Sequence, residues 1–453
     1  MLDPRDRRLL FDLFRPPDGF QLDEAIGTTY SLDLLTLLVT PLAFTMFDWE
    51  AKDGRIKASP VALLESLRRY SDRITIFHQA DCLQAPKRHR LLFGYMEECL
   101  VPVIPKRSDE GVFHPKVWML RFAPRVEKGR LNTTARYRLI CSSRNMTFDR
   151  SWDAVLTLEG DYAPRSRRLP QNRPLREFLQ GLPTLALRNL SPGVGQRVSK
   201  IADEIERVPF ECPQGFDEVR FWPLGLGGGN PSFQDQACDR LLVVSPFVSD
   251  HLIKDLASRA KLATLVSRSE ELNKLEASTF KHFQSVFALD PGAEIEPESE
   301  GDSQDSVDLG ESDKAIETLD TDVVPFDQST ELSGLHAKLV ITESKPRASI
   351  WIGSANATNA AYSSNVEFLV ELEGSVSKCG IDKFLDPKRQ TGFAGLLQEY
   401  VRTEHFDSEQ PEEQLAKQFD LLQRTIARLP LRAVVTGSTV SYTHLTLPTI
   451  YSV

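Results

Sequence analysis

Two histidine–lysine pairs give this sequence its potential for chemistry. His114 and Lys116 are two residues apart, as are His336 and Lys338. Side chains two apart on a strand share one face, so each pair is predicted to present an imidazole beside an ammonium group. An imidazole can attack phosphorus or protonate a leaving oxygen near neutral pH, and a neighbouring lysine can hold phosphate oxygens. The pairs therefore indicate phosphoryl chemistry.

Each pair opens one copy of an internal repeat. The His-x-Lys element is followed by Ser-x-Asn-x-Thr at the end of the next predicted strand, and then by an acid seven residues before a glycine. These later positions are Ser143, Asn145 and Asp153 in the first copy, and Ser354, Asn356 and Glu367 in the second. Each Asn would add a neutral donor to the same oxygens, and each acid could fix the tautomer of a histidine. One His-x-Lys alone is typical of a half-buried strand histidine, but two complete copies favour a functional site.

Short apolar runs alternate with helical periodicity along the chain. The predicted strands are 74–80, 113–122, 137–143, 154–160, 240–247, 263–268, 337–343, 349–355 and 367–374, and the predicted helices are 61–70, 251–261 and 412–429. This alternation predicts α/β domains with mixed sheets. The glycine-rich stretch 224–232 is predicted to be a loop, because Pro231 stands where a nucleotide-binding helix would start.

On these motifs the chain resembles the phospholipase D superfamily, with two His-x-Lys-x(n)-Asn motifs in one polypeptide. The resemblance covers about residues 25–400. It implies two similar α/β domains, each a mixed β-sheet flanked by helices, related by a pseudo-two-fold axis. It also implies that the two motifs meet in one site and that the reaction proceeds through a covalent phosphohistidine, with no metal and no cofactor.

The resemblance also implies a role for each motif residue. His114 is expected to be the nucleophile and His336 the general acid for the leaving group. The residues expected to bind the phosphoryl oxygens are Lys116, Lys338, Asn145 and Asn356. Asp153 and Glu367 are expected to orient the histidines, and Ser143, Arg144 and Ser354 are the predicted substrate-binding residues.

The motifs depart from the lipid-hydrolysing pattern, which has an Asp five residues after the Lys. That position is Arg121 in the first copy and Glu343 in the second. The Asn-type motif resembles instead nucleases and tyrosyl-DNA phosphodiesterases, including endonucleases attached to bacterial restriction or phage-defence systems. The first copy also reads Ser-Ser-Arg-Asn where the second reads Gly-Ser-Ala-Asn. Arg144 is expected either to contact phosphate or to pack outward.

Charge is distributed unevenly over the 453 residues, whose net charge is −10. Residues 51–200 hold 28 Lys and Arg against 14 Asp and Glu, whereas 201–350 hold 13 against 29. The segment 290–331 alone has 15 acids and one lysine, which predicts a disordered acidic insert. This insert is either an intramolecular phosphate mimic that weakens DNA binding or an inert solubilising loop. The basic stretch 163–177 either follows a nucleic-acid backbone or connects the domains.

The remaining composition indicates a cytoplasmic protein with no membrane partner. The six cysteines are scattered, without a metal-type spacing, and the apolar uncharged run 34–47 is too short to span a bilayer. We predict an N-terminal domain at 1–205, a C-terminal domain at 206–437, and a non-native tail at 438–453 where the natural protein would continue. Five histidines lack a partner at triad or ligand spacing: His78, His89, His251, His282 and His405.

The sequence therefore predicts a metal-independent phosphodiesterase, a nuclease that hydrolyses DNA, acting in bacterial defence or DNA processing. Its expected partners are DNA and a helicase or another defence-system protein. One alternative is a phospholipid hydrolase or transferase, which the missing motif aspartates and the lack of a membrane-binding helix disfavour. Another is a nucleic-acid-binding protein with a vestigial site, although neither motif is damaged.

Overall fold

The structure is a computed structural model. It describes residues 10–44, 51–52, 55–56, 60–84, 91–105, 111–125, 134–147, 151–227, 229–289, 334–386, 393–402 and 411–429. The predicted acidic insert at 290–331 and the predicted tail at 438–453 lie outside the described residues. The predicted division of the domains at 205 falls at the end of one helix and remains a prediction.

The described residues form strands and helices in alternation. The strands are β1 Phe20–Thr29, β2 Leu32–Asp33, β3 Ala51–Lys52, β4 Arg55–Ile56, β5 Ile74–Gln79, β6 Leu83–Gln84, β7 Leu100–Val103, β8 Val117–Pro124, β9 Arg136–Ser142, β10 Val155–Asp161, β11 Phe216–Leu224, β12 Cys238–Val244, β13 Ala260–Ser267, β14 Ser285–Leu289, β15 Leu339–Ser344, β16 Arg347–Gly353, β17 Glu367–Ser375 and β18 Leu397–Glu399. The α-helices are α1 Leu34–Phe44, α2 Pro60–Tyr70, α3 Arg173–Gly181, α4 Pro192–Ile205, α5 Asp250–Ser258, α6 Ser269–Asn273, α7 Asn359–Ser363, α8 Val376–Cys379 and α9 Pro411–Ala427. Short 3-10 helices fill several connections, at Leu10–Phe14, Ser71–Arg73, Leu91–Tyr95, Glu97–Cys99, Pro170–Asn172, Leu182–Leu185, Ser232–Gln234, Thr279–His282, Ile381–Lys383 and Phe393–Leu396.

Two mixed sheets organise the molecule. The first has the order β10-β9-β8-β1-β5-β7, with β1, β5 and β7 parallel and the β8, β9 and β10 pairings antiparallel. The second has the order β11-β17-β16-β15-β12-β13-β14-β18, with β12, β13 and β14 parallel. Strand β5, between β1 and the edge strand β7, is buried along its whole length, as its β-branched and aromatic sequence favours.

The two sheets repeat one arrangement. In each, an antiparallel three-stranded unit, β8-β9-β10 or β15-β16-β17, joins a parallel unit, β1-β5-β7 or β12-β13-β14. A helix crosses between the first two parallel strands of each unit, α2 in one half and α5 in the other. The predicted fold class, two α/β halves with mixed sheets flanked by helices about a pseudo-two-fold axis, is confirmed.

One continuous hydrophobic core joins the halves. It includes Met119 and Leu139 from the first sheet, Ile341 and Phe368 from the second, and the apolar face of α4. The Cys141 thiol lies 3.7 Å from the carbonyl oxygen of Ile352, so the inner faces of the two sheets are in contact. This packing brings the equivalent antiparallel units of the two halves face to face.

Most predicted elements are present, with two informative differences. Strand β1 escapes the sequence pattern because Asp23, Glu24 and Gly27 interrupt its apolar alternation. A Cβ on Gly27 would lie 2.9 Å from the ring of Trp118, which is its cross-strand partner on β8, so glycine makes room for the indole. The His-x-Lys segments were predicted on strands, but they are extended segments that end just before β8 and β15.

Candidate active site at the pseudo-two-fold axis

Backbone hydrogen bonds between the halves place the two histidines. The amide of His114 donates to the carbonyl oxygen of Val366 at 2.9 Å, and the amide of His336 donates to that of Trp152 at 2.9 Å. Each histidine segment therefore pairs with the residue that precedes the acid of the other copy. This cross-pairing explains why the segments leave their own sheets, since their backbone groups are bonded to the opposite half.

The side chains repeat this exchange. His114 Nδ1 lies 2.9 Å from Glu367 Oε2, and His336 Nδ1 lies 2.8 Å from Asp153 Oδ1. The histidine side chains are 13% and 17% exposed, and both carboxylates are buried. A carboxylate that accepts from Nδ1–H leaves Nε2 of the neutral imidazole as the atom with a free lone pair. Each imidazole is thus oriented by an acid of the other half.

The motif serines hold the acids. Ser143 Oγ donates to Asp153 Oδ1 at 2.8 Å and accepts from the amide of Ala154 at 2.9 Å. Ser354 Oγ donates to Glu367 Oε2 and accepts from the amide of Phe368 at 3.0 Å. The structure therefore brings the two predicted substrate-binding serines to the carboxylates, where they position the acids.

The two lysines are buried beside the histidines. Lys116 Nζ donates to the carbonyl oxygen of His114 and Lys338 Nζ to that of His336, each at 2.9 Å. Burial lowers the pKa of Lys116 well below its ordinary value, and the charge of Lys338 lowers it further, while Glu367 opposes the shift. The two ammonium groups are close enough to repel each other, so the site concentrates positive charge where an anion would bind.

Burial also sets the charge state of the histidines. It lowers the pKa of His114 to about 4, with Glu367 opposing the shift and the charge of Lys116 adding to it. The pKa of His336 is lowered by burial as well, against the opposing hydrogen bond to Asp153. Burial opposes ionisation of Asp153, but bonds from His336 and Ser143 and nearby cations outweigh it and lower its pKa. Near neutral pH His114 is therefore neutral and its Nε2 can act as a nucleophile.

The two asparagines follow the ends of β9 and β16. Asn145 Oδ1 accepts a long bond, 3.5 Å, from the amide of Ser31, whereas Asn356 Oδ1 is buried with no hydrogen-bond partner among the described residues. The next amides, those of Met146 and Ala357, donate to the hydroxyls of Thr29 at 3.1 Å and Ser245 at 2.9 Å. The ends of the parallel strands β1 and β12 thus anchor the asparagine loops.

Arg144 points toward the site and lies beside the carboxylate of Asp153. Its guanidinium lies 3.7 Å from Asp153 Oδ2 and donates to the carbonyl oxygen of Thr147 at 3.2 Å. Ala355 occupies the equivalent position in the second copy and carries no charge. The acid of the Asp153–His336 pair therefore has a guanidinium beside it. At the equivalent position of the second copy, Ala355 offers no such charge to the acid of the Glu367–His114 pair.

Several residues that support the site have no counterpart in the sequence repeat. Gln79 Oε1 accepts from the amide of Phe113 at 2.7 Å, and Asn365 Nδ2 donates to Glu367 Oε1 at 3.2 Å. The Tyr30 ring lies edge-on to the His114 ring, with centroids 5.3 Å apart. Tyr30 follows β1 directly and Gln79 ends β5, so polar or aromatic residues at the carboxyl ends of parallel strands are the signal that would have found them.

The other sequence candidates occupy different positions. His78 is buried, its Nδ1 lies 3.0 Å from the carbonyl oxygen of Gln79, and burial lowers its pKa to about 4. His251 and His282 are exposed, while positions 89 and 405 lie outside the described residues. Ion pairs engage three arginines of the basic stretch 163–177: Arg168 and Arg176 with Glu206, and Arg173 with Glu177.

The motif positions that replace aspartate have structural partners. Arg121 donates to Asp23 on β1 and to Glu204 on α4. Glu343 accepts from the amide of Ile381 at 2.6 Å and lies 3.4 Å from a guanidinium nitrogen of Arg240. Among the described residues, no group of three or more His, Cys, Asp or Glu is arranged to hold a metal ion, and no helix there has the length and apolar character to cross a membrane.

No protein-family model and no curated protein matches the chain. Among solved structures, it is similar to yeast tyrosyl-DNA phosphodiesterase at 10% identity and a TM-score of 0.44, over 83% of this chain and 87% of that chain. It is similar to phosphatidylserine synthase of Haemophilus influenzae at 11% identity and a TM-score of 0.42, over 93% and 92%. For polyphosphate kinase of Porphyromonas gingivalis the values are 10% and 0.38, over 92% and 51%.

Proposed function

We propose that this protein is a metal-independent phosphodiesterase, and that it is a nuclease hydrolysing DNA through a covalent phosphohistidine. The observation that carries the proposal is the crossed pairing of His114 with Glu367 and of His336 with Asp153, at 2.9 and 2.8 Å. Two oriented imidazoles beside two buried lysines supply a nucleophile, a proton donor and a cationic cradle for one phosphate.

In the first step, Nε2 of His114 attacks phosphorus. An N–P bond forms while the P–O bond to the leaving alcohol breaks, and His336 donates its proton to the leaving oxygen. Lys116 and Lys338 stabilise the charge on the non-bridging oxygens, and Asn145 and Asn356 add neutral donors. Glu367 stabilises the positive charge that develops on the attacking imidazole.

In the second step, water enters on the side that the alcohol has left. His336, now neutral, takes a proton from the water as its oxygen attacks phosphorus, and the N–P bond breaks. The product is a phosphomonoester, and both histidines return to their starting protonation states. One group thus serves as acid in the first step and as base in the second.

Charge supports a polyanionic substrate. Residues 51–200 carry an excess of 14 positive charges and contain the first motif. Proteins bind DNA phosphates through Lys and Arg, so this half supplies the electrostatic attraction that a DNA substrate requires. A helicase or another protein of a defence system is the partner we propose for delivering such a strand in the bacterial cytoplasm.

The test is hydrolysis of a labelled single-stranded oligodeoxynucleotide, with release of choline from phosphatidylcholine vesicles as the competing assay. We expect DNA cleavage, its loss in His114→Ala and His336→Ala, and intact far-UV circular dichroism in both variants. With a substrate bearing a good leaving group, His336→Ala should accumulate an acid-labile phosphoenzyme that His114→Ala does not form, because the second step also needs His336.

The matched control is His282→Ala, which removes an exposed histidine from a 3-10 helix and should leave cleavage unchanged. Choline release without DNA cleavage would replace the nuclease by the phospholipid hydrolase. Absence of a phosphoenzyme together with full activity in His114→Ala would remove the phosphohistidine mechanism.

A further inference from the structure

An aromatic ring and a guanidinium lie beside the second histidine. Phe247 follows β12 and remains 41% exposed, which is unusual for a phenylalanine. The Arg268 guanidinium lies over its ring, 5.2 Å from the centroid. Arg268 Nε donates to the carbonyl oxygen of Leu335 at 2.7 Å, and Leu335 immediately precedes His336. We call Phe247 and Arg268 the aromatic platform.

The platform is also tied to the second asparagine loop. Ser245 Oγ donates to the carbonyl oxygen of Phe247 at 2.7 Å and accepts from the amide of Ala357, the residue after Asn356. Phe247 therefore lies between the segment that carries His336 and the loop that carries Asn356. The backbone of Phe247 is thus tied to the Asn356 loop, and its ring lies against the Arg268 guanidinium, which is bonded to the His336 segment.

Among its described residues, the first half has no equivalent platform. There the hydroxyl of Thr29 donates to the carbonyl oxygen of Ser31 at 2.8 Å, as Ser245 does to Phe247, so Ser31 occupies the position of Phe247. The nearby aromatic residue, Tyr30, packs against the His114 ring itself. The site is thus symmetric in its motif residues and asymmetric in what flanks them.

We propose that the aromatic platform binds the nucleobase of the leaving-group nucleotide, an inference that rests on the proposed function. In that mechanism His336 protonates the leaving oxygen, so the leaving group lies on the side of the platform. The Arg268 guanidinium covers one face of the Phe247 ring, so a nucleobase stacks on the guanidinium plane or on the other face of the ring, with its ring or carbonyl acceptors beside Arg268. Stacking of this kind tolerates every base, which fits a nuclease that binds the strand without sequence specificity.

The same geometry disfavours the leaving groups of common phospholipids. Choline and ethanolamine are small cations, and the positive charge of Arg268, 5.2 Å from the centroid of the Phe247 ring, repels a second cation at the platform. The platform therefore selects for a planar, uncharged group on this side of the phosphate.

The experiment compares three dinucleoside monophosphates, one with both bases and two in which a single nucleotide is abasic. In the wild-type protein, removal of the base from the leaving nucleotide should lower kcat/KM by about tenfold, through a higher KM. Removal of the base from the nucleotide that keeps the phosphate should have little effect. Phe247→Ser, which copies the first half, should abolish this preference. Phe247→Tyr should retain it, and Arg268→Gln should weaken it.

Tyr95→Ser is the matched control, since Tyr95 is a similarly exposed aromatic residue outside the site, and it should keep the wild-type ratio. An unchanged base preference in Phe247→Ser, with hydrolysis intact, would overturn the platform and leave the phosphodiesterase standing. Failure of the wild-type protein to cleave any dinucleotide would instead remove the proposed function. Choline release from phosphatidylcholine that exceeds dinucleotide cleavage would overturn both the base and the DNA assignments.

Discussion

His114 hydrogen-bonds Glu367, an acid 253 residues further along the chain, and not Asp153 of its own copy. His336 makes the reciprocal contact with Asp153, 183 residues before it. Each histidine therefore depends on the other half for its tautomer and orientation. Neither copy of the repeat contains a complete catalytic group, so the interface between the halves is part of the site.

The crossed pairing predicts different consequences for the two acids. Glu367→Gln should slow attack by His114 about 10³- to 10⁴-fold with every leaving group, because the developing imidazolium loses its counter-charge. Asp153→Asn should slow hydrolysis of an alkyl ester strongly but that of a p-nitrophenyl ester much less, because an activated leaving group needs little protonation. The measurement is the ratio of kcat/KM for the two substrates in each variant.

Glu373→Gln serves as the control for this comparison, since Glu373 lies on the same strand, β17, and pairs with Arg220 and Arg347 instead. It should leave both rates unchanged. If Asp153→Asn and Glu367→Gln reduced both substrates by the same factor, the assignment of nucleophile and acid to separate pairs would be wrong.

The alternation of strands and helices predicts the mixed α/β sheets, the resemblance implies the two related halves, and the repeat singles out the motif histidines, lysines and acids. Spacing along the chain carries this information, because each copy preserves the order of strand, loop and strand. The pairing between copies has no such signature, since it is set by how two sheets face each other. The sequence therefore indicates that Asp153 and Glu367 orient histidines, but not that each serves the histidine of the other copy.

Other parts of the site escape sequence analysis for local reasons. Asp23, Glu24 and Gly27 interrupt the apolar alternation of β1, so the sequence pattern predicts neither this strand nor the position of Thr29 and Tyr30 at its end. The resemblance implied that Ser143 and Ser354 bind substrate. In the structure both hydroxyls are bonded to carboxylates. A hydroxyl's partner depends on packing, and sequence position does not determine it.

The depressed histidine pKa values predict an acidic optimum. His114 must be neutral to attack, and its pKa near 4 sets the limb at low pH. His336 must be protonated to donate, and its pKa is below the ordinary value of 6.5, so kcat/KM should fall as pH rises through that lower value. A profile of kcat/KM against pH should be bell-shaped with its maximum between these limits. A rate that keeps rising above pH 7 would contradict the roles given to the two histidines.

Arg144 offers a way to move one limb of that profile. Its positive charge lies 3.7 Å from Asp153 and offsets part of the attraction that this carboxylate exerts on protonated His336. Arg144→Ala, which matches Ala355 of the second copy, should therefore raise the pKa of His336. We expect the basic limb of kcat/KM to shift to higher pH while the acidic limb stays in place. A shift of the acidic limb alone would indicate that Arg144 acts on His114.

Hydrolysis should persist in excess EDTA. A histidine and a serine bond to one oxygen of each acid, Oδ1 of Asp153 and Oε2 of Glu367. Ser151 donates to Asp153 Oδ2 at 3.0 Å and Asn365 to Glu367 Oε1 at 3.2 Å, so both oxygens of each carboxylate that a metal ion would need already accept hydrogen bonds. The lysines supply the positive charge that a metal supplies in other phosphodiesterases. The measurement is the rate before and after chelation, with Mg²⁺ added back. Loss of activity that Mg²⁺ restores would rule out the phosphohistidine mechanism.

Lys116 is predicted to favour activity at the expense of stability. It is 2% exposed, and burial lowers its pKa, so the folded protein bears the cost of a buried charge at neutral pH. Below the unfolded pKa of about 10.4 the unfolded chain binds this proton more tightly, so wild-type stability should rise with pH between the lowered folded pKa and 10.4. Lys116→Met removes the charge at similar length. It should lower kcat/KM about 10²- to 10³-fold, leave Tm equal or higher, and lack that rise.

The control for Lys116→Met is Lys261→Met, which removes a surface lysine paired with Asp239 and should change neither activity nor the dependence of Tm on pH. Thermal unfolding followed by circular dichroism across a pH series measures the stability of all three proteins, and kcat/KM is measured on the same samples. A marked fall in Tm for Lys116→Met would show that the bond from Nζ to the His114 carbonyl outweighs the cost of burying the charge. Lys116 would then act in holding the histidine segment in place, and its loss would reduce activity through the fold.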